Sequence, residues 1–468
     1  MSIFKRLLKR KRRVVLVTSP SSFPTAYVRS NTYPFSMVPV VMATPLIPLG
    51  PAYIAASLEQ AGYDVKVADC TFMDQNKFDV GRVKDAVLGL NPDAIGLSAL
   101  TWTIPSAYEL AEALKDDSPD TPVILGGPHV SALPRRTLKE CGAIDAAILG
   151  EGERTFPDFL GHLFSKGVGP EMEGLSGVAF RHGGEILGDT EPVYVEDLDA
   201  LPSPARHLFP LSEYVKWSKN FEARQTPVAS MITSRGCPHH CTFCTRVNNG
   251  VRHRTRSPGN VVREMVELKE MGFNEVQIVD DNFTHDRKRV HEICTLIRRE
   301  GLDLTFQLAN GMRVDHVTQG LMEAMYDAGF YSIHFGVESG DDRVLREIRK
   351  GITVDQVREA VRITRDIGYE LNLFFVIGLP GSTVESEGST LALMEELGLP
   401  VTYSVCTPYP GSPLWDQMGN EMDEVTWDRF DEGDVADPLY LPDGMTLDEL
   451  QEVVDRARAL QSSMSEKT

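Results

Sequence analysis

The chain of 468 residues has no run of about 18 apolar residues, so no membrane-spanning helix is expected. Basic charge is also short: 47 Lys and Arg stand against 67 Asp and Glu, a net charge of −20. That balance argues against general affinity for nucleic acid. No apolar h-region follows the basic start, so a secretory signal is not expected. Cysteine is scarce and odd in number, seven in all, which does not make a disulfide framework. Reduced thiols and a cytoplasmic location are the expectation. Four of the seven, Cys70, Cys141, Cys294 and Cys406, are scattered and read as small buried apolar residues.

What is present suits a soluble globular protein of two or three domains. Apolar residues make up 42% and charged residues 24%, enough for sizeable cores. Residues 1–13 set Ile3, Phe4, Leu7 and Leu8 among seven Lys and Arg residues. This reads either as a disordered basic tail or as an amphipathic patch making peripheral contact with anionic lipid.

Residues 14–160 alternate short apolar runs, at 14–18, 65–68, 94–98, 123–125 and 146–149, with helical patterns such as 51–61 and 104–114. Five buried strands with helical crossovers predict an α/β, doubly wound parallel sheet of Rossmann-like form. Its ligand site belongs outside the carboxyl ends of the strands. Small and turn-forming residues gather there: Ser98 and Thr101, then Gly126-Gly127-Pro128-His129, then Gly150-Glu151-Gly152-Glu153. Each group alone is ordinary turn chemistry; together on one rim they suit a bulky ligand approached by backbone.

Residues 161–222 read as a hairpin followed by a Pro- and acid-rich linker. A second βα series spans 223–415, with strands expected at 229–233, 275–280, 305–308, 332–337, 371–377 and 402–406. Helices at 258–271 and 354–367 carry the Pro start or Gly stop of their kind. Six units predict a partial (β/α)6 barrel of the TIM type, with its chemistry at the strand C-termini. Residues 416–468 read as a small acidic cap or tail with one late helix.

The loop after the first barrel strand runs Ser234-Arg235-Gly236-Cys237-Pro238-His239-His240-Cys241-Thr242-Phe243-Cys244. Cys237, Cys241 and Cys244 supply three thiolates, whereas a closed structural zinc site takes four ligands. Three suit an iron–sulfur cluster with one iron open to a small molecule. Zinc is the rival, with His239, His240 or His253 as the fourth ligand.

The loop, with Phe243 before its last cysteine, resembles the radical SAM superfamily over roughly residues 225–415. The resemblance implies a 4Fe-4S cluster on the three thiolates. Its open iron would chelate S-adenosylmethionine, and reduction would yield a 5′-deoxyadenosyl radical. It also implies an electron donor such as flavodoxin or ferredoxin. At the second strand end, Asp280 and Asp281 stand where the superfamily holds the amino group of S-adenosylmethionine, in Asp-Asp-Asn rather than the common Gly-Gly-Glu. Glu338 and Ser339, in Gly336-Val337-Glu338-Ser339-Gly340, would meet the ribose or methionine moiety. Gly378, in Ile377-Gly378-Leu379-Pro380-Gly381, would lay backbone against adenine. Arg252, Arg254 and Arg256 form either a solvated edge or a charge partner for the cluster.

The N-terminal motifs, with Pro48-Leu49-Gly50-Pro51-Ala52-Tyr53, are similar to the cobalamin-binding radical SAM family over nearly the whole chain. This likeness implies cobalamin between the sheet rim and the barrel mouth, contacted by Ser98, Thr101, Gly126, Gly127, Gly150, Glu151 and Gly152. The Asp-x-His-x-x-Gly signature of a lower cobalt ligand is absent. His129 is read either as lining the site or as structural. The leading function is C-methylation of an unactivated carbon of a small-molecule or lipid-like substrate. Radical cyclisation or rearrangement is the alternative, and a non-catalytic cobalamin or redox sensor a third. Segments 20–45 and 407–440 are expected to set specificity.

Overall fold

Val14, Val15, Leu16 and Val17 are all buried, as a strand covered on both faces requires. They belong to the first of two parallel sheets in the computed structural model. The structure describes residues 10–18, 46–72, 79–218, 223–245, 250, 252–430 and 437–465. Residues 1–9 and the segment 20–45, with the lipid-contact and specificity readings placed on them, lie outside the described residues, as does part of 407–440. Arg10 and Arg12 both bind Asp93, and Arg13 binds Asp64, so these three cations already have carboxylate partners.

The first sheet contains β1 (Arg13–Val17), β2 (Asp64–Ala68), β3 (Ala94–Ser98), β4 (Val123–Gly126) and β5 (Ala146–Ile148), all parallel. Its order is β2-β1-β3-β4-β5, followed by antiparallel β6 (Val178–His182) and β7 (Glu185–Gly188). The order reverses beside β1, and such a switch point opens a crevice at the strand ends. The hairpin is therefore the edge of this sheet rather than part of a separate connecting segment.

The second sheet starts at β8 (Val228–Met231). A two-residue antiparallel ladder, β9 (Ser234–Arg235) with β10 (Arg254–Thr255), brackets the cysteine loop. The sheet continues with β11 (Glu275–Ile278), β12 (Thr305–Met312), β13 (Phe330–Glu338), β14 (Glu370–Ile377) and β15 (Val401–Val405). All six main strands are parallel, in the order β15-β14-β13-β12-β11-β8. The partial barrel expected from the sequence is observed. Local signals explain its helices. Ser257 caps Pro258–Glu270 by accepting from the Asn260 N–H. Thr353 and Gln356 form a capping box on Val354–Ile367, which ends at Gly368 with φ +106°.

The C-terminal region is no detached tail. Trp415, Met422, Val425, Trp427 and Phe430 join the core of the first sheet. Leu450, Val453, Val454 and Ala457 of the helix Leu447–Ser465 join the barrel core. No helix among the described residues is long and apolar enough to cross a membrane.

Candidate functional site

The cysteine loop leaves β8 at the barrel mouth, and its first residues are fastened by a buried acid. Asp280, at the end of β11, accepts from the Thr233 N–H, the Thr233 hydroxyl and the Ser234 hydroxyl, each at 2.6 Å. Three bonds of this kind make Asp280 an anchor for the loop. Asp281 is exposed and accepts from the Gly236 N–H at 3.0 Å, one residue before Cys237. Asn282 reaches the Cys237 sulfur at 3.9 Å. The Asp-Asp-Asn run thus serves the loop in three ways.

Cys237 is half-buried, Cys241 buried and Cys244 exposed. Burial raises the Cys241 thiol, and the Lys350 ammonium pulls the other way. That lysine is 7% exposed, and its Nζ lies 2.6 Å from Glu338 Oε1. Glu338 has φ +68°, rare for a residue with a side chain and of a kind that collects at functional sites. Lys350 carried no motif, and nothing in the sequence marked it. Arg313, beside it, pairs with Asp315 at 3.0 Å.

Ser339 is buried, and its hydroxyl is engaged by Thr390 and by the Asp341 N–H. These bonds hold the turn after β13. Gly378 has φ +75° and donates its N–H to Glu387 Oε1 at 2.9 Å. A side chain at Gly378 would press on Leu450 at 3.1 Å.

A cavity of about 450 Å³ lies at the carboxyl ends of the first sheet. Ser98, Gly126, Gly127, Gly150, Glu151 and Gly152 all line it, together with Thr18, Gly96, Tyr53 and Phe156. Gly127 has φ +111°, and an added Cβ would sit 2.4 Å from the Ala99 carbonyl oxygen. Two residues placed at this site by sequence are elsewhere. Thr101 is buried outside the lining, and so is His129. His129 meets Trp427 edge-on at 4.5 Å, and neither ring nitrogen has a hydrogen-bond partner among the described residues. Burial pushes its pKa down to about 3, so the ring is neutral. No histidine lines the cavity among the described residues.

The barrel contributes Ile232 and Arg235 to the same cavity. Arg235 binds Glu153 at 2.7 Å and lies 4.9 Å over the Tyr53 ring. Glu151 accepts from both terminal nitrogens of Arg254, at 2.8 and 2.7 Å, and from the Val195 N–H. Arg256 and Arg206 both bind buried Glu264. Arg254 and Arg256 are therefore neither a solvated edge nor partners of the cluster; they are buried in ion pairs, one across the two sheets. Arg252 alone is exposed, paired with Glu196. Cys141, Cys294 and Cys406 are buried, and Cys70 is partly so.

Residues 37–160 match the B12 binding domain, and residues 231–394 match the radical SAM superfamily. An uncharacterized methyltransferase of Pyrococcus horikoshii is 31% identical over 90% of this chain and 89% of its own length. The cytidylyl-2-hydroxyethylphosphonate methyltransferase of Streptomyces wedmorensis is 28% identical over 78% of this chain and 77% of its own. The fold matches that of the radical S-adenosylmethionine methyltransferase TsrM of Kitasatospora setae, at a TM-score of 0.68 and 17% identity, covering 89% of this chain and 76% of that one. The chain belongs to the cobalamin-binding radical SAM family, in the company of its methyltransferases.

Proposed function

We propose that this enzyme C-methylates an unactivated carbon of a small-molecule or lipid-like substrate, with a 4Fe-4S cluster, S-adenosylmethionine and cobalamin as its cofactors. The carrying observation is Arg235. It lines the apolar cavity of the first sheet and stands two residues before Cys237. One loop therefore borders both cofactor sites. When bound, the cluster and S-adenosylmethionine supply a hydrogen-abstracting radical, and the corrin supplies a transferable methyl group.

The residues present fit these groups. Three cysteines from one loop offer thiolates and leave one iron position open. Lys350 places a buried cation beside Cys241, suited to the negative charge of a thiolate-bound cluster or a substrate carboxylate. Asp280 and Asp281 hold the loop to β11. The wall from Gly126 to Gly127 lets a large ring system approach backbone. Electrons come from a reductant of the flavodoxin or ferredoxin class.

The test uses anaerobically reconstituted protein with cobalamin, S-adenosylmethionine, a strong reductant and extract from cells lacking the enzyme. Methylation requires S-adenosylhomocysteine and 5′-deoxyadenosine to appear together, with a product heavier by one methylene. If 5′-deoxyadenosine forms without S-adenosylhomocysteine, the reaction is a cyclisation or rearrangement. If Cys241→Ala still yields 5′-deoxyadenosine, the cluster assignment fails.

A further inference from the structure

Four of the 11 histidines gather on one side of the barrel mouth, and the proposed chemistry uses none of them. His239 belongs to the cysteine loop, His285 to the turn after β11, and His316 to the turn after β12. Their ring centres are 5.9 to 6.3 Å apart, and one nitrogen from each falls within 4.8 Å of the others. We propose that His239, His285 and His316 form a second metal site, for a divalent ion of the zinc class, which ties the cysteine loop to the two neighbouring barrel loops.

The donor set selects the ion. Three imidazoles with no carboxylate or thiolate among them suit zinc, cobalt or nickel and disfavour magnesium and calcium. The fourth position is open to water. His316 is already oriented, since its Nδ1 lies 3.1 Å from the Thr284 hydroxyl. That contact leaves Nε2 for a metal, the arrangement in which a ligating ring is held by its second nitrogen. His253 stands beside His285, 4.7 Å between ring centres, with its Nε2 held 3.1 Å from the Asn282 carbonyl. It packs against the triad without joining it. Zinc–nitrogen bonds of about 2.0–2.1 Å bring tetrahedral nitrogens closer together than that 4.8 Å limit. His285 is exposed and has the freedom to close that distance.

The three residues come from separate loops whose strands, β8, β11 and β12, are neighbours in the barrel. An ion there would hold the Cys237–Cys241 segment through His239, which lies within it. The site is distinct from the cluster, whose ligands are thiolates, so the two can be measured apart.

The test starts from protein carrying its 4Fe-4S cluster, so that the thiolates are occupied. Cobalt(II) is titrated in, and its visible d–d bands and bound metal per chain are recorded; zinc(II) is then added as competitor. One equivalent of cobalt, displaced by zinc, is expected. His285→Ala and His316→Ala should each weaken that binding at least tenfold with iron and sulfide content unchanged. His240→Ala, one residue along the loop but outside the triad, should keep it. The proposal is overturned if loaded wild-type protein takes up no extra equivalent. It is equally overturned if binding survives both histidine variants, or depends only on the cysteines. Iron content reports on the cluster independently, so failure here leaves the cofactor reading intact.

Discussion

Lys350 and Glu338 form a buried ion pair, Nζ to Oε1 at 2.6 Å, at the end of β13 and beside Cys241. The glutamate is held in a left-handed backbone conformation, with φ +68°, so the pair is kept at some conformational cost. Removing one partner strands a buried charge, at a cost of about 3–5 kcal/mol. Lys350→Met should lower the thermal midpoint of the cluster-loaded protein and cut 5′-deoxyadenosine formation. The double variant Lys350→Met/Glu338→Gln should regain most of the stability and none of the activity. Recovery of both would mean that the pair is only structural.

Asp280→Asn keeps the size of the side chain but turns one acceptor into a donor facing the Thr233 N–H and two hydroxyls. Each lost charge-assisted bond is worth about 1.5–3 kcal/mol. Iron and sulfide per chain should fall well below wild type after identical reconstitution, while far-UV circular dichroism is unchanged. Normal iron content would show that the loop holds its place without this anchor.

Gly127→Ala puts a Cβ 2.4 Å from the Ala99 carbonyl oxygen in a conformation unsuited to a side chain. The cavity wall must shift. Backbone strain of this kind costs about 1–3 kcal/mol, so cobalamin affinity should drop about tenfold. Visible absorbance of bound corrin after gel filtration checks this. Iron content should stay at the wild-type level, since the loop is untouched.

Glu387 yields a pH prediction. Burial pushes its pKa up to about 7 from the ordinary 4.5. Its Oε1 accepts from the Gly378 N–H, and its other oxygen meets no partner among the described residues. Between about pH 4.5 and 7 the unfolded chain has lost a proton that the folded chain keeps. Stability therefore falls as pH rises through that window, by at most about 3 kcal/mol. Glu387→Gln should flatten this decline in denaturant midpoints. An unchanged slope would assign the effect to other groups.

Fold and chemistry were legible for local reasons. Strands covered on both faces must be apolar throughout, so β1, β3 and β4 announced themselves, and the parallel order followed from the helices between them. Capping residues such as Ser257 and Thr353 act within one helical turn, so they can be read in place. The spacing of Cys237, Cys241 and Cys244 is a property of one loop, and so is the count of three thiolates.

Other features depended on where distant segments meet. Asp280 binds Thr233 and Ser234 because β8 and β11 are neighbours, a pairing the sequence does not show. His129 follows a rim motif but faces Trp427, nearly 300 residues further along. Arg254 pairs with Glu151 across two sheets, and Lys350 acts on Cys241 from the turn after the helix Asp342–Glu347. By itself the sequence determined the two parallel sheets and the three-thiolate loop, since these rest on burial pattern and local spacing. Only the tertiary structure decided which charged side chains are spent on holding that loop, because each such assignment is a competition among partners that the chain brings together only when folded.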